Sequence, residues 1–307
     1  MKVPVSVVIP AHNAARFLRR AIESVQAQSA AVDEIIVVDN NCTDNTAQIA
    51  REMGATIIVQ PKPGPAAARN AGIAQAKNDW IALLDADDVW LKNKIRDQWK
   101  ALKKFPAARI VGCEFTFLNS YNEVDEILPA HRAWRESPGR KKSTAINGRL
   151  FRYAEKVDEY SISLFNINDS TALIHREVFE RIGVFDESLD LREDAEFFMR
   201  ALSFAPAAFV RRPLAHIRIH PFNIGQDVKK LHERHNDVIR RMERLPDNYA
   251  AGAAQYNRRW LRADFLRLNR IIFYRAAAYR ENPTAAAADL AKYLGAAAEN
   301  IDLGKID

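Results

Sequence analysis

The sequence predicts an α/β protein built on a mostly parallel, doubly wound sheet with a helical C-terminal extension. Three observations carry this. Short valine- and isoleucine-rich runs recur through the N-terminal third, and segments of helical period lie between them. From Asp227 onward only helical periods remain.

The elements follow in order. Val3–Pro10 is a continuous apolar run, as expected of a strand buried on both faces. Ala14–Gln28 places Phe17, Leu18, Ala21, Ile22 and Val25 on one helical stripe. Glu34–Asp39 is a second buried strand, Asp44–Met53 a helix ending before Gly54, and Thr56–Gln60 a third strand. Pro65–Lys77 is a helix opened by proline, and Trp80–Leu84 a fourth strand. A helix near Leu91–Phe105 and a strand near Arg109–Leu118 come next. The polar stretch Asn119–Arg149, with Pro129, Pro138 and Gly139, is an excursion or lid. Thr171–His175 is a strand, Arg176–Ile182 and Asp190–Phe204 are helices, and Ala208–Ile219 is a last strand. The tail repeats the helical period through Trp260, Leu261, Phe265 and Leu268, and Pro283 opens a final alanine-rich helix.

Composition narrows the function classes. The 307 residues suffice for one large domain with an appendage, and 48% apolar with 27% charged residues is ordinary for a folded chain. Two separated cysteines, Cys42 and Cys113, argue against a cross-linked secreted fold and favour a reducing compartment. The short apolar run before His12-Asn13 does not make a signal peptide, and no stretch approaches the ~18 apolar residues that span a bilayer. The net charge of +6 suits an anionic small molecule or membrane surface. Nucleic acid is not expected, because no basic cluster is interleaved with aromatics.

Open α/β sheets bind ligands at the carboxyl ends of their strands. The residues after each strand are Ala11-His12-Asn13, Asp39-Asn40-Asn41, Pro61 to Gly64, and Asp85-Ala86-Asp87-Asp88, so polar and acidic groups gather along one edge. In an extended segment Asp85 and Asp87 point the same way. Carboxylates so close raise each other's pKa unless a cation lies near, and hard oxygen ligands suit Mg²⁺ or Mn²⁺ held together with phosphates. From these residues alone, Asp87 and Asp88 could equally cap the following helix, and Glu193-Asp194 could cap theirs. His216 and His220 lie four apart on a strand-like pattern without a third ligand, so zinc is not expected.

The motifs PVSVVIPAHN, VVDNNCTDNT, GPAAARNAGI, IALLDADD and LREDAEFFMR, in that order, resemble family 2 inverting glycosyltransferases of the GT-A fold over roughly residues 3–225. The resemblance implies a GT-A nucleotide-sugar-binding and catalytic domain over 1–225. Residues 226–307 lie outside the resemblance and are expected, from their helical period, to form a helical region for acceptor, membrane-surface or oligomer contacts. It implies that Pro10 and Ala11, with Asn13 on the same edge, lie under the nucleobase, usually uracil, and that Asp39 accepts a hydrogen bond from it. Arg69 is expected against the base or a phosphate, with Gly64 allowing close backbone approach. Asp85 faces the ribose, Asp87 holds Mn²⁺ or Mg²⁺ on the diphosphate, Asp88 assists, and His220 lies near the metal or diphosphate. Asp194 is the implied general base, beside Glu193 and held by the amphipathic helix bearing Phe197, Phe198, Ala201 and Leu202. Where the family usually shows D-D-G-S-T-D, this chain has Asp39-Asn40-Asn41-Cys42-Thr43-Asp44, and Asn41 can supply the left-handed conformation of the missing glycine.

The expected reaction transfers a sugar from a UDP-sugar to a hydroxyl on a glycan, lipid-linked or other acceptor, in surface polysaccharide or glycoconjugate assembly. The expected location is the cytoplasm, with peripheral contact at the inner membrane face and possible homo-oligomers. A sugar nucleotidyltransferase would show a glycine-rich basic loop where this chain has Pro10-Ala11-His12-Asn13. A non-catalytic nucleotide-sugar-binding relative would be expected to lose Asp87 or Asp194, and both are present.

Overall fold

The computed structural model describes residues 2–119, 126–127, 151–154 and 167–220. Most of the expected polar excursion, the tail helices and the boundary at 225/226 lie outside the described residues.

The elements are β1 (Val5–Ala11), α1 (Leu18–Gln26), β2 (Glu34–Asp39), α2 (Thr46–Glu52), β3 (Thr56–Val59), α3 (Pro65–Gln75), β4 (Trp80–Leu83) and β5 (Val89–Trp90). They continue with α4 (Lys94–Lys104), β6 (Ile110–Asn119), β7 (Glu126–Ile127), β8 (Phe151–Ala154), a 3₁₀ turn at Asp169–Thr171, and β9 (Leu173–His175). Helices α5 (Arg176–Ile182) and α6 (Glu193–Phe204) and strand β10 (Ala207–Ile219) complete the described chain. The sheet order is β3-β2-β1-β4-β9-β6-β10-β5, with β7 beside β6 and β8 beside β10.

Strands β3, β2, β1 and β4 run parallel, as do β6 and β10. Between these blocks β9 lies antiparallel to both neighbours, so the sheet is mixed and mostly parallel. Two features departed from expectation. The two-residue strand β5 pairs antiparallel with β10 and is too short to show a period. Asp85–Asp88, expected to be extended, is a turn closed by the Asp88 N–H donating to the Asp85 carbonyl at 3.0 Å.

Alternation along β1 explains the layers. Val5, Val7 and Ile9 pack on one face against α1, Ala50 of α2, and Ile95 and Ala101 of α4. Val8 packs on the other face with Ala66, Ala68 and Ile73 of α3, Val178 and Phe179 of α5, and Phe197 and Phe198 of α6. Helices thus cover both faces, which is why these strands read as largely apolar runs, with the buried Ser6 of β1 donating to Glu34 at 2.5 Å. Helix α3 comes unusually close: a Cβ on Gly72 would sit 2.3 Å from Val8 Cγ1, so only glycine fits there. In β10 the pairing with β6 shifts around Pro213, where proline has no amide to give to the ladder. Cys42 and Cys113 are both free thiols.

Candidate active site

The carboxyl ends of β1, β2 and β4 bring the expected edge together. Ala11 pairs with Asp39 across β1 and β2. The Asp39 carboxylate accepts the Cys42 N–H at 2.9 Å, shaping the loop that follows β2. The Cys42 thiol donates to the Ala11 carbonyl at 3.3 Å, and burial pushes its pKa up to about 11. Asn13, at φ 49°, accepts from the Thr43 N–H at 2.8 Å. Asn41 adopts φ 59°, the left-handed conformation expected of it, and Gly64 sits at φ 121°, which disfavours any side chain. Pro10, Ala11, Asn13, Asp39 and Gly64 therefore share one rim, the first four on or just after β1 and β2 and the last at the start of α3.

Behind the rim lies a buried acid cluster around Arg69. This arginine was expected against a base or phosphate, but its side chain is only 6% exposed and its guanidinium is turned inward. It meets Asp85 at 2.8 Å, Asp169 at 2.8 Å and Glu193 at 2.6 Å. The physical reason is its place on α3: Ala66, Ala67 and Ala68 around it are buried, and three carboxylates converge on its fork. Arg69 thereby ties together α3, the turn after β4, the 3₁₀ turn and the first turn of α6. Burial pushes the carboxyls of Asp169 and Glu193 upward despite the arginine, with neighbouring acids adding to the effect. Arg69 Nε and Asp169 Oδ1 are buried without a hydrogen-bond partner.

The turn after β4 is pinned from two sides. Asp88, 3% exposed, accepts from the Ser170 hydroxyl at 2.5 Å and from the Arg218 N–H at 2.7 Å. Asp88 thus works inside the fold, and burial pushes its carboxyl well above the usual range. Ser170 also accepts the Asp85 N–H at 3.0 Å. The Arg218 side chain donates through Nε to the Asp87 carbonyl at 2.6 Å and lies 4.9 Å from the centre of the Phe17 ring. The Asp87 carboxylate is 3.0 Å from His220 Nε2, and His220 stacks on Phe17 with centroids 4.7 Å apart. Asp87 and His220, more than a hundred residues apart in sequence, are thus brought into contact.

Asp194 stands in the first turn of α6, where its carboxylate accepts the Ala195 N–H at 2.7 Å. The preceding residue, Arg192, takes φ 71° and supplies no side-chain cap. Glu193 and Asp194 are therefore inside the helix rather than capping it, where the helix dipole favours negative charge. The helix is anchored by Phe197, fully buried and stacked on Phe185 at 4.3 Å and Phe179 at 5.3 Å.

Sequence reasoning passed over Asp169, Ser170, Arg218 and Phe17's contact with His220. One signal was present: Asn168 and Thr171 form a reciprocal capping box, a spacing that marks an ordered turn just before the apolar Ala172-Leu173-Ile174.

A strand-end acid cluster on a sheet of this order, with α3 and α6 bracing it, defines a GT-A-type α/β protein. A model for glycosyl transferase family 2 matches residues 6–183, and the chain belongs to that family. A glycosyltransferase of Rickettsia prowazekii (strain Madrid E) is 32% identical over 224 residues, covering 70% of this chain and 64% of that protein. The chain thus spans less than two thirds of that relative's length. Hyaluronan synthase of Pasteurella multocida is 26% identical over 202 residues, covering 64% of this chain and 19% of the synthase. The crystal structure of S. aureus TarS 1-349 superposes with a TM-score of 0.61 at 16% identity, covering 84% of this chain and 71% of that one. TarS 1-349 in complex with UDP-GlcNAc superposes with a TM-score of 0.59 at 15% identity. No helix among the described residues is long and apolar enough to cross a membrane.

Proposed function

We propose that the chain is an inverting glycosyltransferase that moves a hexosyl or N-acetylhexosaminyl group from a UDP-sugar to an acceptor hydroxyl. The observation that carries this is the Asp87–His220 pair beside the Arg69-braced acids, with Asp194 on the same cluster. Uridine is favoured by the fold shared with TarS, which has been solved with UDP and UDP-GlcNAc.

Mn²⁺ or Mg²⁺ fits the residues present. Asp87 keeps 26% of its side chain exposed and has an imidazole beside it. A hard divalent ion held by one or two side chains takes its remaining oxygens from phosphates and water. Asp87, with His220, would hold the ion, whose chemistry is to offset charge on a diphosphate leaving group.

The protein's own residues do the rest. Pro10, Ala11, Asn13, Asp39 and Gly64 form the rim that receives the base, and Asp85 faces the ribose. Arg69 and Asp88 hold this machinery from within. An acceptor hydroxyl is a poor nucleophile at neutral pH, so Asp194 takes its proton as it attacks from the side opposite the leaving group, which inverts the anomeric centre. We place this reaction in surface polysaccharide or glycoconjugate assembly, in the cytoplasm at the inner membrane face. The acceptor is a glycan or lipid-linked glycan, and residues 226–307 supply acceptor, membrane or self-association contacts.

The test is a thermal-shift screen of UDP-, GDP-, CDP- and dTDP-sugars with Mn²⁺. A UDP-sugar should raise the melting temperature, and Asp87→Ala should abolish that response; no response to any donor sinks the assignment. Asp194→Asn should lose about a thousandfold in turnover while donor affinity stays within about twofold. Near-normal turnover removes Asp194 from the role of base.

A further inference from the structure

Asn40 stands at a position where a second acid is usual for the family, and the residue is 5% exposed. Its amide nitrogen donates to the Gln60 carbonyl at 2.8 Å and the Lys62 carbonyl at 2.7 Å. Its amide oxygen accepts the Gly64 N–H at 2.9 Å. Both side-chain donors and one acceptor are thus matched to three main-chain groups of a single segment, Gln60 to Gly64. Its main chain reaches the other way: the Asn40 N–H donates to the Ala11 carbonyl at 2.9 Å, and the Asn40 carbonyl meets His12 Nδ1 at 2.7 Å. One residue therefore joins the end of β1, the end of β2 and the loop that opens α3.

The chemistry explains asparagine here. A carboxylate in the same place would set its oxygens against two carbonyl oxygens and could not replace either donated bond. Neighbouring contacts tighten the same seam: Asn41 Nδ2 donates to the Pro61 carbonyl at 3.2 Å, and the Gln60 N–H donates to the Asp39 carbonyl at 2.9 Å. The residues joined this way, Ala11, Asp39 and Gly64, are those assigned above to the nucleobase. None of these bonds reaches the Asp85–Asp88 turn, which is held separately by Ser170 and Arg218.

We propose that Asn40 is a positioning residue that sets the nucleobase slot and so determines discrimination among bases, without contributing to capture of the diphosphate. The inference rests on the nucleotide-sugar reading above. The experiment measures dissociation constants of UDP, GDP and inorganic pyrophosphate, each with Mn²⁺, for the full native chain, Asn40→Ala and Asn40→Asp. Expected in both variants are a loss of about tenfold for UDP, pyrophosphate binding within about twofold of native, and a UDP-to-GDP preference that moves toward unity. Equal weakening of UDP and pyrophosphate, or unchanged UDP binding, overturns the proposal. If the native chain binds none of the three, the donor assignment itself fails, and that outcome is visible before any variant is made. Should Asn40→Ala and Asn40→Asp lose their cooperative melts, Asn40→Ser must show the same selective loss at smaller amplitude. If it too fails to fold, Asn40 is a folding residue and the proposal is overturned.

Discussion

Replacing Arg69 by methionine tests whether the acid cluster is held by one cation. The guanidinium is 6% exposed and lies 2.6–2.8 Å from three carboxylates. Methionine keeps most of the apolar stem but leaves Asp85, Asp169 and Glu193 facing one another without a counter-charge. Removing one side of a buried ion pair costs about 3–5 kcal/mol, and protonation of Asp169 and Glu193 relieves part of that. At roughly 2–4 °C per kcal/mol for a chain somewhat smaller than this one, the melting temperature should fall by about 10 °C near neutral pH. Arg69→Lys retains the charge without the planar fork and should fall between the two. The assay is thermal unfolding of the full chain without divalent ions, with near-ultraviolet circular dichroism to confirm that the variants are folded at low temperature. A methionine variant that melts with the native protein would refute the brace.

Two further outcomes follow from buried charge. Glu193, pushed up chiefly by burial from its ordinary 4.5, adds stability below its unfolded value that is lost as pH rises through its folded value. The melting temperature of the native chain minus that of Glu193→Gln should therefore fall as pH rises above the ordinary 4.5, a comparison that cancels the opposite slope of His175 and His216. A rising difference would mean that Arg69 outweighs burial. Lys94, fully buried with Nζ 3.9 Å from the Trp90 ring centre and 3.0 Å from Gln98 Oε1, has its pKa lowered by burial from 10.5 to about 8. Its folded form resists the proton that the unfolded chain keeps, so Lys94→Met should stabilise by about 1–3 kcal/mol at pH 7, with the gain fading toward about pH 10. Denaturant melts showing a less stable variant at pH 7 would contradict this.

The parts of the fold legible in the sequence are those where burial leaves a local mark. The runs Val3–Pro10 and Glu34–Asp39 were readable because helices cover both faces of those strands. Asn41 was readable because few residues tolerate φ 59°. Helix α6 was readable from the spacing of Phe197, Phe198, Ala201 and Leu202. Strand direction leaves no such mark: Leu173–His175 has the same apolar character whether it runs with or against β4. The Asp85–Asp88 turn was missed because one main-chain hydrogen bond, invisible in the residue pattern, overrides strand alternation. The motif around Arg69 implies a contact with base or phosphate and says nothing of the three acids it meets, and its partner Asp169 is a single acid with no periodic neighbour to betray its burial.

The cluster also divides the acids by what already satisfies them. Asp88 is satisfied by a hydroxyl and a main-chain amide, and Asp85 and Glu193 by Arg69. Asp169 shares that guanidinium but keeps one oxygen buried and unpaired, which is tolerable only because burial favours its neutral form. Asp85, Asp87 and Asp194 all remain partly exposed, Asp85 on the guanidinium, Asp87 against an imidazole, and Asp194 in the first turn of a helix whose core is locked by stacked aromatic rings. Asp87 lies in the turn that begins at Asp85, and Asp194 follows Glu193 in α6, so each sits beside an acid bonded to Arg69. Through Asp85 and Glu193, one buried cation thus braces both the turn that carries Asp87 and the helix turn that carries Asp194.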